Sequence, residues 1–171
     1  MRTVTLAHGS GGRFTQELVE EFVALFDNPP LRELADAAVL EDGGGRWAFT
    51  TDSFVVKPRF FPGGDIGKLA VTGTVNDLAV MGAQPRWLSV GLILEEGLPL
   101  EELRRIMRSM AETARAVGVQ IVCGDTKVVE RGSGDGLYIN TAGLGWIPPG
   151  VNLSPRRLEP GDCLLVSGPL G

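Results

Sequence analysis

The chain has 171 residues, of which 43% are hydrophobic and 22% charged, and carries a formal charge of -5. That length suits one domain with a sizeable core, or a piece of something longer. The negative balance gives nonspecific nucleic-acid binding no electrostatic footprint, and the longest apolar stretch, Leu88 to Leu94, is far too short to span a bilayer, so neither nucleic acid nor membrane is expected as a partner. Two cysteines, Cys123 and Cys163, offer neither metal-ligand spacing nor a disulfide framework, and the N-terminus has no apolar leader; a cytoplasmic, reducing home is expected.

Along the chain, Phe14, Leu18, Phe22, Leu25 and Phe26 recur at helical spacing, predicting a helix over Arg13 to Phe26 that the NPP of Asn28 to Pro30 ends. Ala37 to Leu40 and Trp47 to Val56 read as two strands of a hairpin about the Gly43 to Gly45 turn, with Asp52 inside the second. Asp65 to Met81 is a helix apolar on most of its circumference, capped by Asp65. Its polar row is Lys68, Thr72 and Asn76. Asp77 lies off that row, about 20° from Ile66 by the helical period. A carboxylate there is costly unless paired with a cation or fully hydrogen-bonded, and bonding to nearby backbone N–H groups is an open alternative to a ligand role.

Pro85 precedes a strand at Trp87 to Leu94. Pro99 opens an amphipathic helix whose Leu100, Leu103, Ile106, Met107, Met110, Ala114 and Val117 share one face, ending at Gly118. Val119 to Cys123 reads as a short buried strand delivering Gly124 and Asp125 at its end, with Cys123 and Cys163 both buried. Leu137 to Ile147 is a further strand, and one more starts at Cys163 to Val166. The fold class expected is α+β: a mixed sheet with helices packed on one face, whose open face needs a partner.

Three acidic landmarks follow runs of apolar or β-branched residues: TDS at Thr51 to Ser53, VND at Val75 to Asp77, and GDTK at Gly124 to Lys127. Upstream stands HGSGG, namely His8, Gly9, Ser10, Gly11 and Gly12. Mg²⁺ needs few carboxylates because it keeps waters and phosphate oxygens as ligands. Glycines let backbone N–H groups approach phosphate, and a lysine neutralises charge in phosphoryl transfer. The combination points to a magnesium-nucleotide site. No GxxxxGK[ST] follows a strand, which disfavours a P-loop. Taken singly, Asp52 could be a strand-end cap, His8 a loop residue and Lys127 a surface lysine; together they favour a site.

The run from TDSFVV through FFPGGDIG to VND, with GDTKVV and INTAGLG, resembles the HypE family of hydrogenase maturation factors. Its superfamily includes aminoimidazole ribonucleotide synthetase, selenophosphate synthetase and thiamine-monophosphate kinase. The resemblance implies an N-terminal domain that dimerises through its sheet into a β-barrel, with Asp52, Asp77 and Asp125 as metal or phosphate-side ligands and Asp36 as a fourth. Ala35 stands where the family often has a second acid. The resemblance also implies ATP and Mg²⁺ as the cofactors, Asn76 and Thr126 as neighbouring polar contacts, His8 to Gly12 as a lid over the phosphates, and Lys127 as a catalytic base.

The activity implied is ATP-dependent dehydration of a carbamoyl group on a C-terminal cysteine to a thiocyanate, the source of hydrogenase cyanide ligands. The implied partners are a second copy, the carbamoyltransferase HypF and the HypC–HypD complex. Residues 1 to 160 are expected to form the ATP-binding and dimerisation domain, and 161 to 171 to begin a second domain that is absent. Such a fragment is expected to dimerise without turning over. Two further readings remain open: a small-molecule kinase such as thiamine-monophosphate kinase, and a mainly scaffolding module.

Overall fold

The computed structural model describes residues 3–26, 28–166 and 168. A 3-10 turn at Leu6–Gly9 leads into α1 (Arg13–Phe26), which has the predicted bounds but buries none of its residues. Its apolar stripe is uncovered, with Phe22 45% exposed. The NPP that closes α1 also starts a helix: Asn28 caps α2 (Pro29–Arg32) by accepting the Leu31 N–H. Proline suits a first helical position, where no N–H is needed.

The hairpin forms as β1 (Ala38–Asp42) and β2 (Gly45–Phe54), antiparallel in the register Ala38↔Phe49. A two-rung ribbon, β3 (Phe60–Phe61) and β4 (Gly64–Asp65), then feeds α3 (Ile66–Val80). Asp65 caps α3 as predicted, its carboxylate accepting the N–H groups of Gly67 and Lys68 at 2.8 and 3.0 Å. Next come β5 (Gln84–Glu95), α4 (Leu100–Val117), β6 (Gln120–Val129) and β7 (Leu137–Ile147). Gly118 ends α4 at φ 75, a left-handed conformation that glycine adopts without Cβ strain.

The sheet order is β1-β2-β7-β5-β6, and only the β5–β6 pair is parallel. This is the mixed sheet expected. Along β7 burial alternates at every residue from Leu137 to Ile147, because successive side chains leave opposite faces of a strand. The inner set packs under α3 and α4. Ile66, Val71, Leu88, Ile106, Met110, Leu137 and Ile139 form the centre of the core, each at most 1% exposed. Burying each such side chain contributes roughly 1.5–3 kcal/mol. The two helices touch at Gly67, where an added Cβ would stand 2.5 Å from the Ile106 carbonyl oxygen.

Among the described residues, nothing covers the opposite face. It carries Phe49, Trp87 and Ile93, which are 44%, 39% and 44% exposed. Trp47 stacks on Trp87 there, with ring centroids 6.0 Å apart.

Four expectations fail, all of them at β6 or at the C-terminal end. The segment around GDTK is a ten-residue edge strand exposed over nearly its whole length, not a short buried one. Asp125 therefore lies within the strand rather than at its end, because pairing with β5 continues as far as Val129. Both cysteines are exposed and free, not buried: Cys123 belongs to this uncovered edge. Residues Cys163 to Val166 form no strand, since no neighbour pairs with them.

Candidate functional site

Two elements bring acids together. In β2, Asp52 pairs with Thr141 of β7, so its side chain points to the helix-covered side of the sheet. Thr50 and Ala48, two and four residues before it, point the same way and are buried. In α3, Asp77 follows Thr74 by three residues and so shares a face with it. That face lies on β2: Thr74 donates to Asp52 Oδ2 at 3.0 Å, and Thr50 donates toward Asp77 Oδ2 at 3.3 Å. Asp36, in the segment entering β1, is held beside them through its carbonyl, which accepts the Thr50 hydroxyl at 2.9 Å.

Burial, first, and then the neighbouring charge of Asp52 push the Asp77 carboxyl above its ordinary value; the Thr50 hydroxyl opposes this, and Asp36 adds to it. No basic side chain is among the groups that shift Asp77. A cleft of about 530 Å³ opens beside Asp36, lined by Leu31, Asp36, Leu40, Phe49 and Thr51 among others.

Asp125 does not join this group. It pairs with Gly91, whose neighbour on β7 is Asn140, and that row faces the uncovered side of the sheet. Asp52 faces the helices. Three strand spacings separate β2 from β6, on the order of 14 Å. Lys127, two residues on from Asp125, also faces the uncovered side, whereas Thr126 faces the helix side; both are exposed.

Asn76 is exposed on α3, next to Asp77. His8 to Gly12 form the N-terminal turn. The His8 ring packs on Phe14 at 5.4 Å, and its Nδ1 accepts the Thr5 N–H at 3.1 Å. That strip lines a shallow pocket with its own neighbours, Val4 to Leu6 and Leu18.

Among the described residues, no three His, Cys, Asp or Glu side chains are grouped so as to hold a metal ion. Asp52 and Asp77 nevertheless suit one ion well. Mg²⁺ is ordinarily bound through one or two carboxylates, with water and phosphate oxygens completing its octahedron. Two hard-oxygen donors on separate rigid elements match that requirement.

The sequence reading missed Thr50, Thr74, Thr141 and Asn140. Thr74 and Thr141 are fully buried at 0% exposure, and Asn140 donates to the Asp52 carbonyl at 2.8 Å. The signal present in the sequence was a threonine off the polar row of an otherwise apolar helix.

The chain is 56% identical to the carbamoyl dehydratase HypE of Escherichia coli K12 over its full length, covering 53% of that protein. It thus spans about half the length of the curated relatives it matches. A crystal structure of a HypE–HypF complex matches 88% of this chain and 47% of the solved one, with TM-score 0.80 and 52% identity. A HypE structure in complex with ATP matches 85% and 44%, with TM-score 0.61 and 54% identity. No helix among the described residues is long and apolar enough to cross a membrane. Residues 34–147, spanning the whole sheet and both long helices that cover it, match the AIR synthase related protein N-terminal domain, and the chain belongs to that family.

Proposed function

We propose that this chain is the nucleotide-binding part of a HypE-type carbamoyl dehydratase of hydrogenase maturation, and that Asp52 and Asp77 hold Mg²⁺ with ATP. The observation that carries the reading is the Asp52–Asp77 pair. Two carboxylates on separate elements repel one another at a half-buried site. A bound divalent ion relieves that repulsion, and hard oxygens are the donors Mg²⁺ takes. The relatives named above, one solved with ATP, support the same assignment.

When bound, the metal and nucleotide would supply phosphoryl activation of an amide-like oxygen, so that this oxygen could leave as phosphate while the N–H protons are removed and a thiocarboxamide on a cysteine becomes a thiocyanate. This chain's residues bind and orient. Asp52 and Asp77 anchor the ion, Asp36 adds negative charge beside it, and Asn76 and Thr126 offer polar contacts. His8 to Gly12 would close over the phosphates as a lid. Lys127 is the proposed base for the N–H protons, and Asp125 a phosphate-side contact, both contributed from the uncovered side of the sheet.

That uncovered side, with Phe49, Trp87 and Ile93 exposed, supports pairing with a second copy sheet to sheet. HypF and the HypC–HypD complex are the proposed partners of the full-length protein; the match to a HypE–HypF complex supports the first.

Calorimetric titration of MgATP into the chain tests the reading. Binding should be lost in Asp52→Asn and in Asp77→Asn. Equal binding by the wild type and both variants would place the nucleotide elsewhere.

A further inference from the structure

We infer that Thr74 and Thr141 are positioning residues for Asp52, forming a buried hydroxyl chain that fixes which carboxylate oxygen faces the ligand. The inference rests on the reading of Asp52 as a magnesium ligand.

The ordinary behaviour of a threonine in a helix is to donate to the carbonyl four residues back. Thr72 does so, reaching the Lys68 carbonyl at 3.1 Å, and Thr113 of α4 reaches the Ser109 carbonyl at 2.8 Å. Thr74 departs from that pattern. The carbonyl four residues before it belongs to Ala70 and lies within 3.3 Å of the Thr141 hydroxyl instead. Thr74 turns its proton outward to Asp52 Oδ2 at 3.0 Å.

The direction of the chain follows from donor counting. An ionised carboxylate only accepts, and a hydroxyl has one proton. Thr74 spends that proton on Asp52, so the Thr141 proton has two acceptors within reach, the Thr74 hydroxyl at 2.5 Å and the Ala70 carbonyl at 3.3 Å, and the much shorter contact takes it. Both hydroxyls are fully buried, at 0% exposure, so no solvent competes for them. Aligned hydroxyls polarise one another, which strengthens the last bond to the carboxylate.

The main chain around Asp52 is held as firmly from the other face of the sheet. Asn140 donates to the Asp52 carbonyl at 2.8 Å and to Ser53 Oγ at 3.0 Å, and Thr51 donates to the Thr141 carbonyl at 3.0 Å. Backbone and carboxylate are therefore oriented independently, by consecutive residues of β7. Fixing a ligand oxygen through a neighbour that never touches the metal is the usual task of such supporting groups, and their removal costs roughly 10–100-fold in metal affinity.

The test compares binding of MgATP, and of ATP in EDTA, to the wild-type chain and to Asp52→Asn, Thr74→Val and Thr74→Ser, following Tm for each. Thr74→Val should weaken MgATP about tenfold and leave ATP in EDTA unchanged, while Thr74→Ser, which keeps the hydroxyl, should bind as the wild type does. If Asp52→Asn loses affinity while Thr74→Val does not, the positioning role is overturned and the site stands. If Asp52→Asn binds normally, the site and the inference fall together. An equal loss with and without magnesium in Thr74→Val, tracking a fall in Tm, would make Thr74 a packing residue only. Should Thr74→Val fail to fold, Thr141→Val removes the distal hydroxyl, and a magnesium-dependent loss of a few-fold is expected; no loss overturns the chain.

Discussion

Asp77 shares the single hydroxyl proton of Thr50 with the carbonyl of Asp36, which lies at 2.9 Å against 3.3 Å for the carboxylate. The shorter contact wins the proton. Asp77 is left with a weak donor, a like-charged neighbour in Asp52, and partial burial. Such a group is a poor contributor to stability and a good host for a cation.

Asp77→Asn should therefore stabilise the protein at neutral pH while removing MgATP binding. The folded-state pKa of Asp77 is raised above its ordinary 3.8, so the folded state binds the proton more tightly than the unfolded one. Stability consequently falls as pH rises from that ordinary value through the folded one, and the penalty is fully present above both. The gain in Tm, about 2–4 °C for each kcal/mol relieved in a chain of this size, should be seen at pH 7 and vanish below pH ~3.8. Thermal melts of both proteins across that pH range decide it; a lower Tm at pH 7 would contradict the assignment.

Gly67→Ala sets two effects against each other. Alanine is favoured over glycine in a helix by about 1 kcal/mol. The new Cβ, however, would meet the Ile106 carbonyl at 2.5 Å, and a backbone oxygen inside a packed helix pair cannot move aside as a side chain can. Overpacking of this kind costs roughly 1–3 kcal/mol, so the net effect should be destabilising. Urea unfolding should give a lower midpoint with an unchanged m value.

The uncovered face predicts the assembly state. Trp87 is 39% exposed there and stacks on Trp47, so Trp87→Lys places a charge within the surface proposed to pair with a second copy. Sedimentation velocity at tens of micromolar should show a dimer for the wild type and a monomer for the variant. All three tryptophans of the chain lie on β2, β5 and β7, and Trp47 pairs directly with Trp146, so fluorescence should shift on dilution as well. A wild type that remains monomeric would remove the sheet-to-sheet proposal.

Lys57 and Asp135 form an ion pair joining the loops after β2 and before β7. The hydrogen bond and charge of Lys57 hold the Asp135 carboxyl below its ordinary 3.8. A carboxyl with a depressed folded-state value contributes stability above its unfolded pKa and loses it as pH falls through the folded one. The pair is exposed, so its contribution to stability is small and screened. NMR titration should show Asp135 returning to its ordinary value in Lys57→Met and in molar salt.

Several features were readable because they depend on short stretches of chain. The bounds of α1 and β7, the cap at Asp65 and the stop at Gly118 all follow from periodicity and from residues with one strong local preference. The motifs that carry the family likeness were legible for the same reason. Edge exposure is different. Val119 to Cys123 has the apolar composition of a buried strand, yet among the described residues β6 pairs with β5 alone, and nothing in its own residues states how many neighbours it will have.

By itself, then, the sequence determined the class of fold, the aspartates to consider and the family they belong to, since each is encoded in local pattern and residue type. The tertiary structure alone decided which aspartates meet. A strand sends alternate side chains to opposite faces, so Asp52 and Asp125 part company on the strength of a register that only pairing across β2, β7, β5 and β6 establishes. The same packing decided that Thr74 gives its proton to Asp52 rather than to its own helix, because that choice depends on a hydroxyl arriving from a strand 67 residues away.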